Sequence, residues 1–262
     1  MSAVLLHGTA GGRRQWADLV YQLPKDIETV ALDLPSHAAQ EVPAARRSLS
    51  DEALVIMRRL CDFDGPVHLI GHSYGAALAL RIAVKWPGMI ASLTLFEPAI
   101  FHLLRDGHAI EQQMHADIAD IVTALDDAEA KGEPERGVAR FIDFWNGPGS
   151  FERYPAENRL KLVQRLGLIR ANFAALDAES WRLSDCARVT CPVLCLYGEN
   201  SPLLAQHLTR LVAGQMANAK VLPVSGAGHF LPMTHAATVA KFLTAHLGAA
   251  ERQMVRLPTR AA

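Results

Sequence analysis

The chain of 262 residues lacks any long apolar segment and any marked excess of charge. No hydrophobic run approaches the ~18 residues that a membrane-spanning helix needs. The 26 Lys and Arg residues nearly balance the 27 Asp and Glu residues, and the formal net charge is −1. This balance favours neither nucleic acid nor an anionic membrane surface as a partner. The first residues lack the basic region and the apolar length of a signal peptide, so we expect a cytoplasmic protein without membrane insertion.

Cysteine is scarce, and the four residues are Cys61, Cys186, Cys191 and Cys195. Four cysteines could form two disulfides in a secreted protein, but we expect no export signal, and a chain of this length needs no cross-links. The pair at 191 and 195 brackets an apolar segment and lacks a second pair of metal ligands. We therefore expect buried free thiols and no metal. No phosphate-binding loop or dinucleotide fingerprint is present, so no cofactor is expected.

Half of the residues are hydrophobic, and their pattern alternates along the chain. Continuous apolar runs predict buried strands, and helical spacing predicts helices between them. The predicted strands are 4–6, 28–34, 67–70, 90–96, 192–197 and 220–224. Ser50 is a candidate cap for a helix at 49–60. Strands that are apolar on both faces and alternate with helices are typical of an α/β fold with a doubly wound, mostly parallel sheet.

One region, from about residue 100 to residue 185, departs from this alternation. It has no strand pattern and predicts helices at 108–125, 134–144 and 156–176. A helical insertion between two strands, lying over the ends of the sheet, accounts for this pattern. The predicted parts are an α/β core of residues 1–99 and 186–250, a helical cap of residues 100–185 and a flexible tail of residues 251–262.

The segment Gly71-His72-Ser73-Tyr74-Gly75 joins the third predicted strand to an alanine-rich helix. In this context the G-x-S-x-G pattern predicts a nucleophilic serine on a sharp turn, where the glycines allow close backbone packing. The N-terminus of the helix favours negative charge near Ser73. The alternative is a glycine-rich turn in which the serine only caps the helix.

A nucleophilic serine needs a base, and the triad order of this fold places a histidine late in the chain. Gly226-Ala227-Gly228-His229 follows the last predicted strand, and its glycines allow a loop that returns the imidazole to Ser73. The other histidines beyond the fifth strand belong to predicted helices or their edges: His207, His235 and His246. We predict His229 as the base, and the alternative is a solvated loop histidine.

Four segments in this order resemble the α/β-hydrolase superfamily over essentially the whole chain: Leu5–Thr9, Asp33–His37, Gly71–Gly75 and Gly226–His229. The helical insertion is similar to the cap that many members carry over the active site. The commonest position of the acid in this superfamily, three residues after Gly198, is Ser201 here. A second position known in the superfamily, at the end of the strand after the nucleophile helix, is Glu97.

Glu97 ends a predicted parallel strand, where active-site groups gather. It would hold the tautomer of His229 and stabilise its protonated form. Glu199 is an alternative acid, and Glu97 could instead be a solvent-facing residue at the start of the cap. For the oxyanion, the resemblance implies the backbone N–H groups of Tyr74 and Thr9, although Thr9 could be an ordinary turn residue that caps the next helix.

Three histidines, His7, His37 and His72, invite a metal interpretation. They belong to different turns and lack paired carboxylates at ligand spacing, so we expect no metal there. Many members of the superfamily have two antiparallel strands before the His-Gly strand, which here begins almost at Met1. Either the sheet is reduced, as in the methylesterase and hydroxynitrile-lyase branch, or the given start is too late. A missing edge would expose a strand flank and raises the expectation of a homodimer.

Together these features predict a serine hydrolase of the carboxylesterase type, acting on a small, rather apolar carboxylic ester, thioester or lactone through an acyl-enzyme. A C–C bond hydrolase or a lyase on the same fold is an alternative. A catalytically silent protein that binds a small ligand is another, supported only by the missing aspartate at Ser201. Aromatic residues of the predicted cap would line an apolar pocket or pack the cap onto the core. They are Phe101, Phe141, Phe144, Trp145, Phe151, Phe173 and Trp181.

Overall fold

The computed structural model describes residues 2–37 and 48–256. Its strands are β1 (Ser2–Leu6), β2 (Glu28–Leu32), β3 (Val67–His72), β4 (Ile90–Phe96), β5 (Val193–Gly198) and β6 (Ala219–Val224). They form one sheet in the order β2-β1-β3-β4-β5-β6, and every described pair of neighbours is parallel. The strand order changes direction between β1 and β3, which is where α/β sheets open a crevice at their carboxyl ends.

The helices are α1 (Ala17–Gln22), α2 (Leu49–Leu60), α3 (Tyr74–Lys85), α4 (Ala109–Ala130), α5 (Pro134–Asn146), α6 (Ala156–Val163), α7 (Leu166–Asp177), α8 (Leu203–Ala213), α9 (Leu231–Thr234) and α10 (Ala236–Arg256). Val4 and Leu6 of β1 pack into a core with α2, α3 and α8, and Leu5 packs into a second core with α1 and α10. Alternate residues of a strand point to opposite faces, so helices cover both faces of the sheet. The predicted doubly wound α/β fold is confirmed.

The inner strands β3, β4 and β5 are buried along their whole length, as their continuous apolar runs predict. Among the described residues, β2 and β6 are the edges of the sheet, and most of their residues are only partly buried. The homodimer stays a prediction. No helix within the described part of the chain is long and apolar enough to cross a membrane.

Two details of the helices differ from the prediction. Ser48, not Ser50, caps α2: its hydroxyl accepts the N–H of Asp51 at 3.1 Å, and the carboxylate of Asp51 accepts the N–H of Ser48. This reciprocal pair is a capping box, which requires the serine three residues before the acid. The single helix predicted at 156–176 is two helices, α6 and α7. They are separated by Gln164 and Arg165, and Gly167, a poor helix former, lies in the first turn of α7.

The predicted tail also needs correction, because α10 continues through residues 251–256. Ala249 to Arg252 are mostly good helix formers, and Ala250 is completely buried. The rest of the predicted tail, residues 257–262, lies outside the described residues.

All four cysteines are free thiols. Cys186 and Cys195 are buried, and burial raises the pKa of each thiol to about 12. Cys191 is half-buried, and burial raises its pKa to about 11. Cys61 is exposed, contrary to the expectation, because it follows the last residue of α2 at the surface.

Candidate active site

A cavity of about 170 Å³ lies at the carboxyl ends of β1 and β3. Three of the predicted site residues line it, namely Thr9, Ser73 and His229. Tyr74 follows Ser73 in the chain, and Glu97 is hydrogen-bonded to His229. Within the described residues no hydrogen bond joins the side chains of Ser73 and His229, and such contacts are often long before substrate binds. The shared cavity therefore brings the nucleophile and base candidates together.

Ser73 occupies the turn between β3 and α3 with φ of 54° and ψ of −115°, a conformation that is strained for residues other than glycine. Its N–H donates to the Phe96 carbonyl at 2.9 Å, which joins the turn to β4. A Cβ on Gly71 would collide with the backbone of Gly75, and one on Gly75 would collide with the backbone of Leu6. Close backbone packing therefore requires both glycines of the motif.

His229 lies in the loop between β6 and α9 and is 4% exposed. Its Nδ1 is 2.5 Å from Oε2 of Glu97. The loop is held by the amide of Asn200, which donates to the Gly226 carbonyl at 3.0 Å, and by His72, whose Nε2 donates to the His229 carbonyl at 2.9 Å. Both the ring and the backbone of His229 are therefore fixed by hydrogen bonds.

Glu97 follows β4 with φ of 46° and is almost completely buried. Its Oε1 accepts the N–H of Gly198 at 2.7 Å and the hydroxyl of Ser201 at 2.5 Å, while Oε2 contacts His229. Three hydrogen bonds thus satisfy a carboxylate that burial would otherwise destabilise. Ser201, at the superfamily's usual position for the acid, binds the carboxylate of the neighbouring strand. Glu199 is exposed, and no described hydrogen bond joins its side chain to His229.

The loop after β1 forms a tight turn, closed by the Gly11 N–H donating to the Gly8 carbonyl at 3.0 Å. Thr9 and Ala10 are its central residues, and Ala10 has φ of 57°, the positive value that a type II turn needs there. Arg165 donates from Nη1 to the carbonyls of Ala10 and of Gly11, the latter at 2.8 Å. A cationic side chain between α6 and α7 therefore contacts the loop that carries Thr9.

Tyr74 is the first residue of α3, so its backbone N–H lies at the same helix end as Ser73. N–H groups in the first turn of a helix point out of its N-terminus. The phenol is directed elsewhere: it donates to Oε1 of the buried Glu52 at 2.5 Å, and Oε2 of Glu52 accepts the N–H of Ser36 at 3.0 Å. Only the backbone of Tyr74 can therefore serve the site.

His72 links the two loops of the site. It is buried, and burial together with the nearby His229 holds the pKa of His72 well below its usual range. The neutral ring donates from Nε2 to the His229 carbonyl and accepts the Gln15 amide at Nδ1, at 3.4 Å. Oε1 of Gln15 in turn accepts the Gly8 N–H at 3.2 Å. Gln15 was not identified from the sequence, since a single glutamine in a helical turn carries no pattern.

His7 is also neutral, because burial lowers its pKa. Its Nδ1 donates to the Gly8 carbonyl at 2.9 Å, and its Nε2 accepts the Leu34 N–H at 3.1 Å. The ring of His37 packs edge-on against it, with centroids 4.5 Å apart. Both nitrogens of His7 thus serve turns of the backbone. No group of three or more potential metal ligands is found among the described residues.

The aromatic residues between β4 and β5 divide into three sets. Phe141 and Trp145 of α5 line the cavity with Ser73, and Trp145 stacks on His229 with centroids 4.5 Å apart. Phe101 and Phe173 line a second cavity, between α4 and α7. The remaining three line neither cavity: Phe144, Phe151 and Trp181. The stacking of Trp145 on the imidazole could not be predicted, because it depends on how α5 lies over the sheet.

Comparison with known proteins agrees with this fold. Residues 3–242 match the sequence profile of the alpha/beta hydrolase family. The chain belongs to this family. A lipase of Mycobacterium tuberculosis, LipV, is 33% identical over 140 residues, which are 53% of this chain and 51% of LipV. The chain therefore spans about half the length of that relative.

Two further comparisons cover more of this α/β hydrolase. The (E)-2-((N-methylformamido)methylene)succinate hydrolase of Acinetobacter baylyi is 22% identical over 88% of this chain and 84% of its own. A crystal structure of a hydrolase from Pseudomonas aeruginosa superposes with a TM-score of 0.73 over 94% of this chain and 89% of its own, at 22% identity. At this identity the structural likeness supports the fold alone.

Proposed function

We propose that this α/β hydrolase is a serine hydrolase that cleaves a small, rather apolar carboxylic ester, thioester or lactone through an acyl-enzyme. The observation that carries the proposal is the hydrogen bond of 2.5 Å between Glu97 and His229, at a cavity that Ser73 also lines. A buried carboxylate on one ring nitrogen leaves the other nitrogen to accept a proton. Ser73, on its strained turn, is the candidate donor of that proton.

In the proposed reaction, Oγ of Ser73 attacks the carbonyl carbon while Nε2 of His229 takes its proton. Glu97 holds the tautomer and stabilises the imidazolium. The oxyanion accepts the N–H groups of Thr9 and Tyr74, each typically worth about 3–4 kcal/mol in the transition state.

When the tetrahedral intermediate collapses, the C–O or C–S bond breaks and His229 protonates the leaving group. The acyl group remains on Ser73. Water, deprotonated by His229, then attacks the acyl carbonyl and releases the acid. An ester or thioester thus gives an alcohol or thiol and an acid, whereas a lactone gives a single hydroxy acid, and in each case Ser73 and His229 return to their starting state.

The helices α4 to α7 are proposed as a cap, with boundaries at residues 100 and 185. Phe141 and Trp145 of α5 line the cavity opposite Ser73, which supports this assignment and an apolar substrate. The names of the relatives, a lipase and a succinate-derivative hydrolase, support hydrolysis without indicating one substrate. Ser201 contributes a hydroxyl to Glu97, so the missing aspartate no longer favours a silent binding protein.

A fluorophosphonate probe tests the nucleophile directly. We expect covalent labelling of Ser73 in the wild-type protein and none in Ser73→Ala, with a burst of phenol release from an activated phenyl ester. Absence of both labelling and burst would favour the silent binding protein. A C–C hydrolase or lyase would label but would turn over a diketone or a hydroxynitrile faster than any ester.

A further inference from the structure

A second cavity of about 450 Å³ lies between α4 and α7. We call it the α4–α7 groove. Its apolar lining includes Phe101, Ile118 and Phe173, which are buried, and Val122, which is partly buried. Two small exposed residues lie on opposite helices of the groove, Ala119 on α4 and Ala174 on α7. The groove and the Ser73 cavity share no lining residue.

One layer of aromatic rings separates the two spaces. Phe101, on the groove side, stacks on Trp145, on the cavity side, with centroids 6.1 Å apart. Phe173, also on the groove side, meets Phe141 edge-on at 5.9 Å. Phe101 and Phe173 stack on each other at 5.7 Å. Such ring contacts add little beyond the burial of the rings, and methylenes buried in the vacated space would offset the displacement of one ring.

Contacts between polar side chains join α4 and α7 at both ends of the groove. At one end Arg170 pairs with Asp126, and at the other Nε2 of His115 is 3.0 Å from Asp177. Asp177 also accepts Arg105 at 2.9 Å. Arg170 also contacts Glu129, so each guanidinium and each carboxylate at the rim has a partner of opposite charge, and no unpaired charge calls for an ionic ligand. The apolar lining and the paired charges at the rim suit an uncharged, apolar group.

We propose that the α4–α7 groove binds the distal methylenes of a medium-chain acyl group whose carbonyl lies at Ser73. The chain passes the aromatic layer where Phe101 and Phe173 meet, by displacement of one ring. This inference rests on the proposed function, and it names a medium-chain acyl ester as the substrate class.

The volumes favour this assignment over a substrate held by the Ser73 cavity alone. Ligand sites usually enclose about 300–1,000 Å³, and the Ser73 cavity, at about 170 Å³, is below that range. Adding the groove brings the available space into the range. Burial of methylenes in the groove would then contribute to transition-state binding for long acyl chains and not for short ones.

Blocking the groove from either side tests the proposal. Ala119→Trp and Ala174→Trp fill it from exposed positions, so neither should prevent folding. We expect each to lower kcat/KM for p-nitrophenyl decanoate at least about tenfold, because exclusion of two methylenes is already worth that much. For p-nitrophenyl butyrate, kcat/KM should stay within about twofold. Ala130→Trp, at an exposed end of α4 outside the groove, is the matched control and should change neither value.

Widening the passage gives the opposite test. Phe173→Leu keeps an apolar side chain and removes a ring from the layer. The decanoate-to-butyrate ratio of kcat/KM should rise severalfold, and Ala119→Trp in the same chain should cancel the rise. A rise that survives the added tryptophan would mean that the chain extends elsewhere.

The outcomes separate this proposal from the one on which it rests. If the wild-type protein hydrolyses neither ester, or Ser73→Ala retains activity, the serine hydrolase itself is wrong. If butyrate is hydrolysed through Ser73 but decanoate is not, the groove is not an acyl site. Equal losses on both esters in the two tryptophan variants would overturn the groove assignment in the same way.

Discussion

Two regions meet at the cavity, and they are built differently. The carboxyl ends of the strands position a few polar atoms through buried hydrogen bonds and strained backbone, as at Ser73 and Glu97. The helical region, residues 100–185, contributes aromatic contacts and open space, as at Phe101 and Phe173. Directional bonds fix atoms to within tenths of an ångström, whereas apolar contacts tolerate rearrangement. The strand ends therefore suit chemistry, and the helical region suits selection of the substrate.

The largest effect should come from the strand ends, and it should show that they act as a unit. Turnover should fall by about a million-fold in Ser73→Ala, in His229→Ala and in the double variant. Loss of either side chain already abolishes the attack by an activated serine, so loss of the second adds nothing. Turnover of p-nitrophenyl butyrate measures all three. As a matched control, adding Ala119→Trp to either single variant should leave butyrate turnover within about twofold of that variant's, because the groove lies apart from the strand ends. If the double variant lost the sum of the two single losses in activation free energy, Ser73 and His229 would not act in the same step.

The position of the acid gives the next effect. Glu97→Gln keeps the shape of the side chain but loses its charge, and we expect turnover to fall by about ten thousand-fold. Ser201→Ala removes one of three hydrogen bonds to Glu97 and should lower turnover by less than about tenfold. Glu199→Gln is the matched control at an exposed carboxylate. A larger loss in Ser201→Ala than in Glu97→Gln would place the acid function elsewhere.

Much of the strand-end region could be predicted, because its requirements are local. A sharp turn after a strand demands glycines at Gly71 and Gly75, and a late glycine-rich loop allows His229 to return to the sheet. The structure places Glu97 beside His229, where the position at the end of β4 led us to expect it. The hydroxyl of Ser201 on Glu97 was not foreseen, because it depends on the distance between two neighbouring strands.

The helical region resisted prediction for the same physical reason. Apolar spacing indicates that helices exist, but it does not tell which ring faces which cavity. Phe141 and Phe173 look alike in the sequence and line different spaces in the structure. The break between α6 and α7 was also missed, although it is what places Arg165 against the turn after β1.

Arg165 joins the two regions and should give an intermediate effect. Arg165→Met keeps much of the length but loses the hydrogen bonds to the carbonyls of Ala10 and Gly11. We expect kcat to fall between about tenfold and a hundredfold through misplacement of the oxyanion loop, with KM and the acyl-chain preference little changed. Arg153→Met, which has no described hydrogen bond to that loop, is the matched control. A change in the preference for acyl-chain length, with kcat unchanged, would show that Arg165 acts in substrate selection and not in positioning the oxyanion loop.

The smallest expected effect is on stability, and it should be similar in the core and in the helical region. Burial lowers the pKa of His246 in the core and of His102, at the start of the helical region, to about 4 from 6.5. The unfolded chain binds protons more readily at these sites, so stability is complete above pH 6.5 and is lost as the pH falls towards 4. At about pH 5.5, each histidine should lower the free energy of unfolding of the wild-type protein by between about 1 and 2 kcal/mol relative to neutral pH. Urea unfolding of His246→Leu and His102→Leu at neutral and acidic pH measures this, and each variant should lose less stability on acidification than the wild type. If only His246→Leu did so, His102 would not contribute to the global transition, and the helical region would unfold separately from the core.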